Sequence, residues 1–78
     1  MRERTEKLIV TFPTTTGAMS MERACRNQAV PGRLIPVPRS ISAGCGVCWA
    51  APREARTAVE ELIVREHLDV DGLYAILL

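Results

Sequence analysis

The apolar positions of this 78-residue chain fall into six blocks, and their spacing changes from block to block. Short runs rich in β-branched and apolar residues predict strands, whereas apolar positions three and four residues apart predict amphipathic helices. On this basis the chain is predicted to run strand, helix, strand, strand, helix, strand. The predicted strands span residues 7–12, 33–37, 46–51 and 73–78.

Both predicted helices carry recognisable start signals. The first follows a turn of one proline, three threonines and a glycine, where a threonine hydroxyl can accept from a free amide of the first turn, and it is expected to end near Gln28. The second follows Pro52, which suits the first turn of a helix. Its predicted buried stripe consists of Ala55, Ala58, Val59, Leu62 and Ile63.

The order of these elements predicts the fold class. At this length, a β-α-β-β-α-β order is expected to form an α+β ferredoxin-like sandwich, with a four-stranded antiparallel sheet and two helices on one face. The whole chain, residues 1–78, is read as a single domain in which residues 1–6 form a charged N-terminal extension.

Composition limits the expected cellular compartment and the expected classes of partner. The net charge is +1 and the basic residues are scattered, so no nucleic-acid patch is expected. The apolar run of residues 8–10 is too short for a signal peptide or a membrane span, which makes the cytoplasm the expected location. Thiols stay reduced there, and three cysteines are an odd number, so a disulfide framework is not expected.

The pair Cys45 and Cys48 is the candidate chemistry of this chain. In the predicted topology, the loop that ends at Cys45 lies at the same end of the sheet as the start of the first helix. Free amides at a helix start favour an anion such as a thiolate. Glycines on both sides of Cys45 leave room for a partner to approach. The residues expected to support the site are Thr14, Thr15, Thr16, Gly17, Arg39, Gly44 and Gly46.

The chain resembles a family of bacterial proteins described as selenium/sulfur carrier-like, with a domain classed as DUF3343. The resemblance extends from Leu8 almost to the end of the chain. It is carried by the β-branched strand, the Ser/Thr-rich turn, the stretch Leu34-Ile35-Pro36-Val37-Pro38-Arg39, the dipeptide Cys45-Gly46 and the sequence Asp71-Gly72-Leu73-Tyr74. The resemblance implies a persulfide or perselenide on Cys45. The position of Cys48 varies among members, so its role does not carry over.

Other interpretations of the cysteines stay open at this stage. Cys45 can be a small residue in a glycine turn, and Cys48 can be either a resolving thiol or a small apolar strand residue. The Cys-x-x-Cys spacing also occurs in thiol oxidoreductases, but there the first cysteine starts a helix. Zinc needs about four ligands, and beyond this pair the chain offers only Cys25 and His67, so no metal site within one chain and no other cofactor are expected. A zinc site shared between two chains stays open.

The resulting hypothesis is a small cytoplasmic thiol carrier rather than a stand-alone enzyme. Cys45 would hold and relay a sulfur or selenium atom, with Cys48 as an accessory thiol. Its expected partners are a donor enzyme, such as a cysteine desulfurase, and an acceptor protein. The rival hypothesis is a non-catalytic protein-binding or regulatory module in which the cysteines are incidental. The sequence does not indicate an oligomeric state.

Overall fold

The computed structural model describes residues 5–41 and 45–78, and the predicted order of six elements is confirmed. A short 3₁₀ turn, Arg53–Ala55, precedes the second helix. The strands and helices are β1 (Glu6–Thr11), α1 (Thr15–Asn27), β2 (Arg33–Pro36), β3 (Val47–Pro52), α2 (Arg56–Arg65) and β4 (Gly72–Leu77).

The four strands form one antiparallel sheet in the order β2-β3-β1-β4. This is the predicted ferredoxin-like arrangement. β1 lies in the interior of the sheet, opposite β3 through pairs such as Leu8–Ala51 and opposite β4 through pairs such as Leu8–Ala75. β2 and β4 are the two edge strands.

Alternation along the strands divides the buried side chains between two faces of the sheet. The face that packs against the helices, called the helix face below, holds the main core. Both helices, β1 and β3 contribute to it because each turns one apolar side inward. Its buried residues are Leu8, Val10, Phe12, Ala18, Met21, Ala24, Cys25, Trp49, Ala51, Ala55, Val59 and Leu62.

The opposite face, called the open face below, has a smaller buried cluster of its own. It consists of Ile9 from β1, Cys48 from β3 and Ile41 from the connection between β2 and β3. No helix residue belongs to this cluster as the structure describes it. Ile41 therefore covers part of the sheet face that lies away from the helices.

Both helices end in the same way. After α1, Val30 N donates to Cys25 O and Ala29 N donates to Arg26 O; after α2, the equivalent bonds involve Leu68 and His67. This is a Schellman motif, which usually places glycine in the left-handed position. Here the position is held by Ala29, with φ of 57°, and by His67, with φ of 52°.

The predicted buried stripe of α2 is wrong at one position. Val59 and Leu62 are buried as expected, but Ala58 is exposed to solvent. Ala58 lies at the margin of the helical stripe that Val59 and Leu62 define, where a side chain faces solvent. Within the described ranges, no helix combines the length and the apolar character needed to cross a bilayer.

Candidate functional site

Three connections meet at one end of the sheet. Thr11, the last residue of β1, lies opposite Cys48 near the start of β3 and opposite Gly72 at the start of β4. The β1–α1 turn, the β2–β3 connection and the α2–β4 connection therefore lie side by side. This end of the sheet holds both cysteines of the candidate pair and the start of α1.

Cys45 is half-buried and packs against the edge of the helix-face core. Its Sγ donates to the carbonyl oxygen of Val47 at 3.1 Å, which closes a tight turn around Gly46. Gly46 has φ of +79°, a conformation that residues with a side chain rarely adopt, and a Cβ placed there would meet no atom of the described residues within 4 Å, its two chain neighbours apart. The turn thus holds a half-buried thiol next to a glycine that no side chain shields.

Only the protonated thiol of Cys45 can make the hydrogen bond to Val47. A thiolate has no proton to donate and cannot make this contact with a carbonyl oxygen. Ionisation of Cys45 therefore removes the bond that keeps Sγ folded back over Gly46. Among the described residues, the space beside Gly46 is open, so a partner can approach that side of the turn.

Cys48 lies on the other face of the sheet and is fully buried. It sits between Thr11 and Ile35 in the strand register, with Ile41 in the same cluster. Burial raises the pKa of its thiol from the ordinary 9.0 to about 11, and the nearby charge of Cys45 adds to the increase. Cys48 therefore stays a protonated thiol at neutral pH.

The third cysteine is equally inert. Cys25 faces the main core from α1 and is fully buried. Desolvation by burial raises the pKa of its thiol to about 11. All three cysteines are free thiols, and Cys45 is the one among them that solvent reaches.

The start of α1 is engaged with its own helix and with the α2–β4 connection. The Thr14 hydroxyl accepts from Gly17 N at 3.3 Å, which is the cap that the sequence predicts. A Cβ on Gly17 would lie 2.9 Å from the carbonyl oxygen of Asp69, so only glycine fits this contact. Thr14, Thr16 and Gly17 line a groove of about 380 Å³ together with His67 and Asp69.

The remaining supporting residues are placed as follows. Thr15 is the exposed first residue of α1. Arg39 is exposed in a turn that Ile41 N closes by donating to Pro38 O at 3.0 Å. Gly44 lies outside the described residues. The start of α1 and Cys45 lie at the same end of the sheet. Their side-chain hydrogen bonds do not connect them, because Thr14 bonds to Gly17 and Cys45 bonds to Val47.

Ile41 is the residue of this region that the sequence interpretation missed. The sequence interpretation gives Ile41 no role, yet Ile41 is only 8% exposed and helps to bury Cys48. The available signal was a single large apolar side chain inside a polar segment. Across residues 5–41 and 45–78, the structure does not gather three His, Cys, Asp or Glu side chains into a group that could hold a metal ion.

Comparison with known proteins identifies a family whose model matches the sequence. A family model described as "Putative Se/S carrier protein-like" matches residues 7–75, which is most of the chain and includes Cys25, Cys45 and Cys48. No curated protein and no solved structure matches the chain.

Proposed function

Because the chain belongs to the Se/S carrier-like family, we propose that it holds a sulfur or selenium atom on Cys45 and relays it between two other proteins. The observation that carries this proposal is the contrast among the three thiols. Cys45 is accessible and sits in a glycine turn, whereas Cys25 and Cys48 are fully buried and have raised pKa values. One cysteine is therefore available to a donor without any rearrangement of the core.

Loading is a transfer between sulfur atoms that needs no separate oxidant. The thiolate of Cys45 attacks the outer sulfur of a persulfide on the donor enzyme. The new bond joins Cys45 Sγ to that sulfur, and the donor's own cysteine leaves as a thiolate. Unloading reverses these roles: a nucleophile of the acceptor takes the outer atom and Cys45 leaves as a thiolate. A selenium atom would travel by the same exchange.

The surroundings of Cys45 support both steps. The open space beside Gly46, among the described residues, leaves room for a donor or an acceptor to approach the turn that holds Cys45. The start of α1 lies at the same end of the sheet, and its amide dipoles favour an anionic sulfur in that region. Arg39 is an exposed cation of the same connection. We assign these groups a supporting role in holding the persulfide anion.

Cys48 is proposed to act as a guarded second thiol. Its attack on Sγ of a loaded Cys45 would form a Cys45–Cys48 disulfide and release the outer atom as hydrogen sulfide or its selenium counterpart. Burial beneath Ile41 and a pKa of about 11 both suppress that attack at neutral pH. The cargo would thus survive until the connection between β2 and β3 opens.

The test is persulfide loading followed by mass spectrometry. Reduced protein is exposed to a persulfide donor, alkylated to trap the product and mapped by peptide. We expect the mass of one added sulfur atom on the peptide that contains Cys45, and no loading in Cys45→Ser because a serine hydroxyl is not ionised near neutral pH. Cys48→Ser should load normally and retain the persulfide for longer.

Cys25→Ala is the matched control, since it removes a thiol that is fully buried in the main core. Its loading should equal that of the unmodified protein. Loading that survives Cys45→Ser, or that falls equally on all three cysteines, would contradict the carrier role. A docking module with incidental cysteines would then be the better account of the chain.

A further inference from the structure

Strand β4 has the composition of an interior strand but occupies an edge of the sheet. From Gly72 to Leu78 it contains no charged residue and no proline. A strand that is apolar on both faces normally has neighbours on both sides, as β1 has here. Edge strands of monomeric proteins are usually protected by charges, prolines or a covering segment.

The exposed apolar residues of the described chain concentrate on this strand. Five large apolar side chains are exposed, and three of them belong to β4 or follow it directly: Tyr74 at 40%, Leu77 at 62% and Leu78 at 39%. Leu77 and the exposed Ala75 lie on the helix face, and Tyr74 lies on the open face with Ile76. Both faces of β4 are thus left partly uncovered.

The hydrogen-bond pattern fixes which backbone groups of β4 are free. Thr5 and Leu78 exchange both of their backbone bonds, at 3.1 and 3.0 Å. Since such pairs alternate along an antiparallel ladder, Ile76 and Tyr74 also direct their groups toward β1. The N–H and C=O groups of Leu73, Ala75 and Leu77 therefore point outward from the sheet.

The other edge of the sheet does not offer the same opportunity. β2 has four residues and ends at Pro36, which has no N–H to donate. Pro31 lies just before the strand and Pro38 just after it. One edge is closed to strand pairing and the other is open, so an assembly built through β4 stops at two chains and does not grow into a filament.

We propose that β4 pairs antiparallel with β4 of a second copy, across a two-fold axis at Ala75. The outward groups permit this register: Ala75 faces its own copy, and Leu73 faces Leu77 of the second copy. These three pairs supply about six backbone hydrogen bonds, two for each pair. The two sheets join into one of eight strands, with all four helices on the same side.

The side chains suit this register on both faces. On the open face Tyr74 lies opposite Ile76 of the second copy, and this aromatic–β-branched pair occurs twice. On the helix face the leucines at 73 and 77 meet, with the small Ala75 on the axis. The antiparallel direction also keeps the Asp71 carboxylates of the two copies at opposite ends of the joint, whereas a parallel joint would bring them together.

The joint lies at the sheet edge opposite the β2–β3 connection. Both Cys45 turns consequently remain accessible in the dimer. The proposal is independent of the carrier role, because it depends on β4 alone and its test does not involve a thiol.

A charge exchange on the axis tests the proposed register. The unmodified chain should have twice its monomer mass of 8.6 kDa in native mass spectrometry and in sedimentation equilibrium. Ala75→Lys alone and Ala75→Glu alone should each give monomers, because each places two like charges directly opposite one another. Mixing the two variants should restore a dimer that contains one copy of each.

Met19→Lys is the matched control. Met19 is an exposed apolar residue on α1, which packs over β2 and β3 rather than over the proposed joint, so this variant should remain a dimer. Recovery of the mixed dimer also shows that both Ala75 variants fold. A monomeric unmodified chain would overturn the proposal. So would a dimer that persists in both single variants, or one that Met19→Lys dissociates.

Discussion

The two faces of the sheet differ in how they are covered. On the helix face, two helices bury large side chains from both interior strands and form most of the core. On the open face, one isoleucine from a connecting segment covers Ile9 and Cys48. The comparison shows that the helix face holds most of the core, whereas the burial of Cys48 on the open face depends on few side chains. We therefore expect Cys48 to become exposed more readily than Cys25.

The largest expected effect is on the helix face. Leu62→Ala should lower the free energy of unfolding by about 2–4 kcal/mol, because Leu62 is fully buried in a small core and its removal leaves a cavity. Urea denaturation measures this change. Glu60→Ala, which removes an exposed partner of Arg56, is the control on the same helix and should cost less than about 0.5 kcal/mol. Equal losses for the two variants would contradict the assignment of the helix face.

The two buried thiols should make the fold less stable in alkali. Each has a pKa of about 11 in the folded chain, whereas cysteines in the unfolded chain ionise near 9.0. The unfolded chain therefore loses protons first as pH increases. Stability is unaffected by these thiols below about pH 9 and decreases between pH 9 and 11, by about 2–3 kcal/mol for each thiol.

Urea denaturation across this pH range, with Cys25→Ala and Cys48→Ala as variants, compares the two faces directly. Each variant should lose less stability in alkali than the unmodified chain. If Cys48→Ala reduces the alkaline loss of stability by less than Cys25→Ala does, the open face already admits solvent. Identical pH dependence in all three proteins would refute the burial of both thiols.

A smaller effect on stability is expected when the cover of the open face is trimmed. Ile41→Ala should lower the free energy of unfolding by about 1–2 kcal/mol, below the cost of Leu62→Ala, because the segment around Ile41 can collapse toward the sheet. Its effect on chemistry should be larger. Alkylation of Cys48 in the native protein should accelerate at least several-fold, while alkylation of Cys25 should not change. Unaltered labelling of Cys48 would mean that Ile41 does not control access.

Much of the fold followed from local patterns. The strands at residues 6–11 and 72–77, the cap at Thr14 and the buried face of α1 all depend on apolar periodicity and on turn chemistry within a few residues. The family was also recognisable, since its match over residues 7–75 agrees with the resemblance seen in the sequence. The strand boundaries differ from the predicted ones by one residue at most. The predicted start of the second helix was wrong by more: Pro52 is the last residue of β3, and α2 begins at Arg56 after the 3₁₀ turn.

The features that the sequence did not reveal depend on distant contacts. Nothing local to Ile41 indicates that it folds over a strand, because its partners Ile9 and Cys48 are brought to it by the sheet. The left-handed backbone at Ala29 and His67 was equally hidden, since that position usually belongs to glycine. The roles of Cys45 and its supporting residues stay predictions until loading is measured.

The single tryptophan of the chain should make changes on the helix face, but not those on the open face, detectable by fluorescence. Trp49 is 3% exposed in the helix-face core, and its indole N–H has no hydrogen-bond partner among the described residues. The indole packs so closely on Gly32 that a side chain at position 32 would collide with it. Its fluorescence should therefore be blue-shifted in the native protein and should change when the main core unfolds. Opening of the open face alone, the event that uncovers Cys48, should leave the emission unchanged. Chemical labelling and fluorescence would then separate two kinds of motion within one small domain.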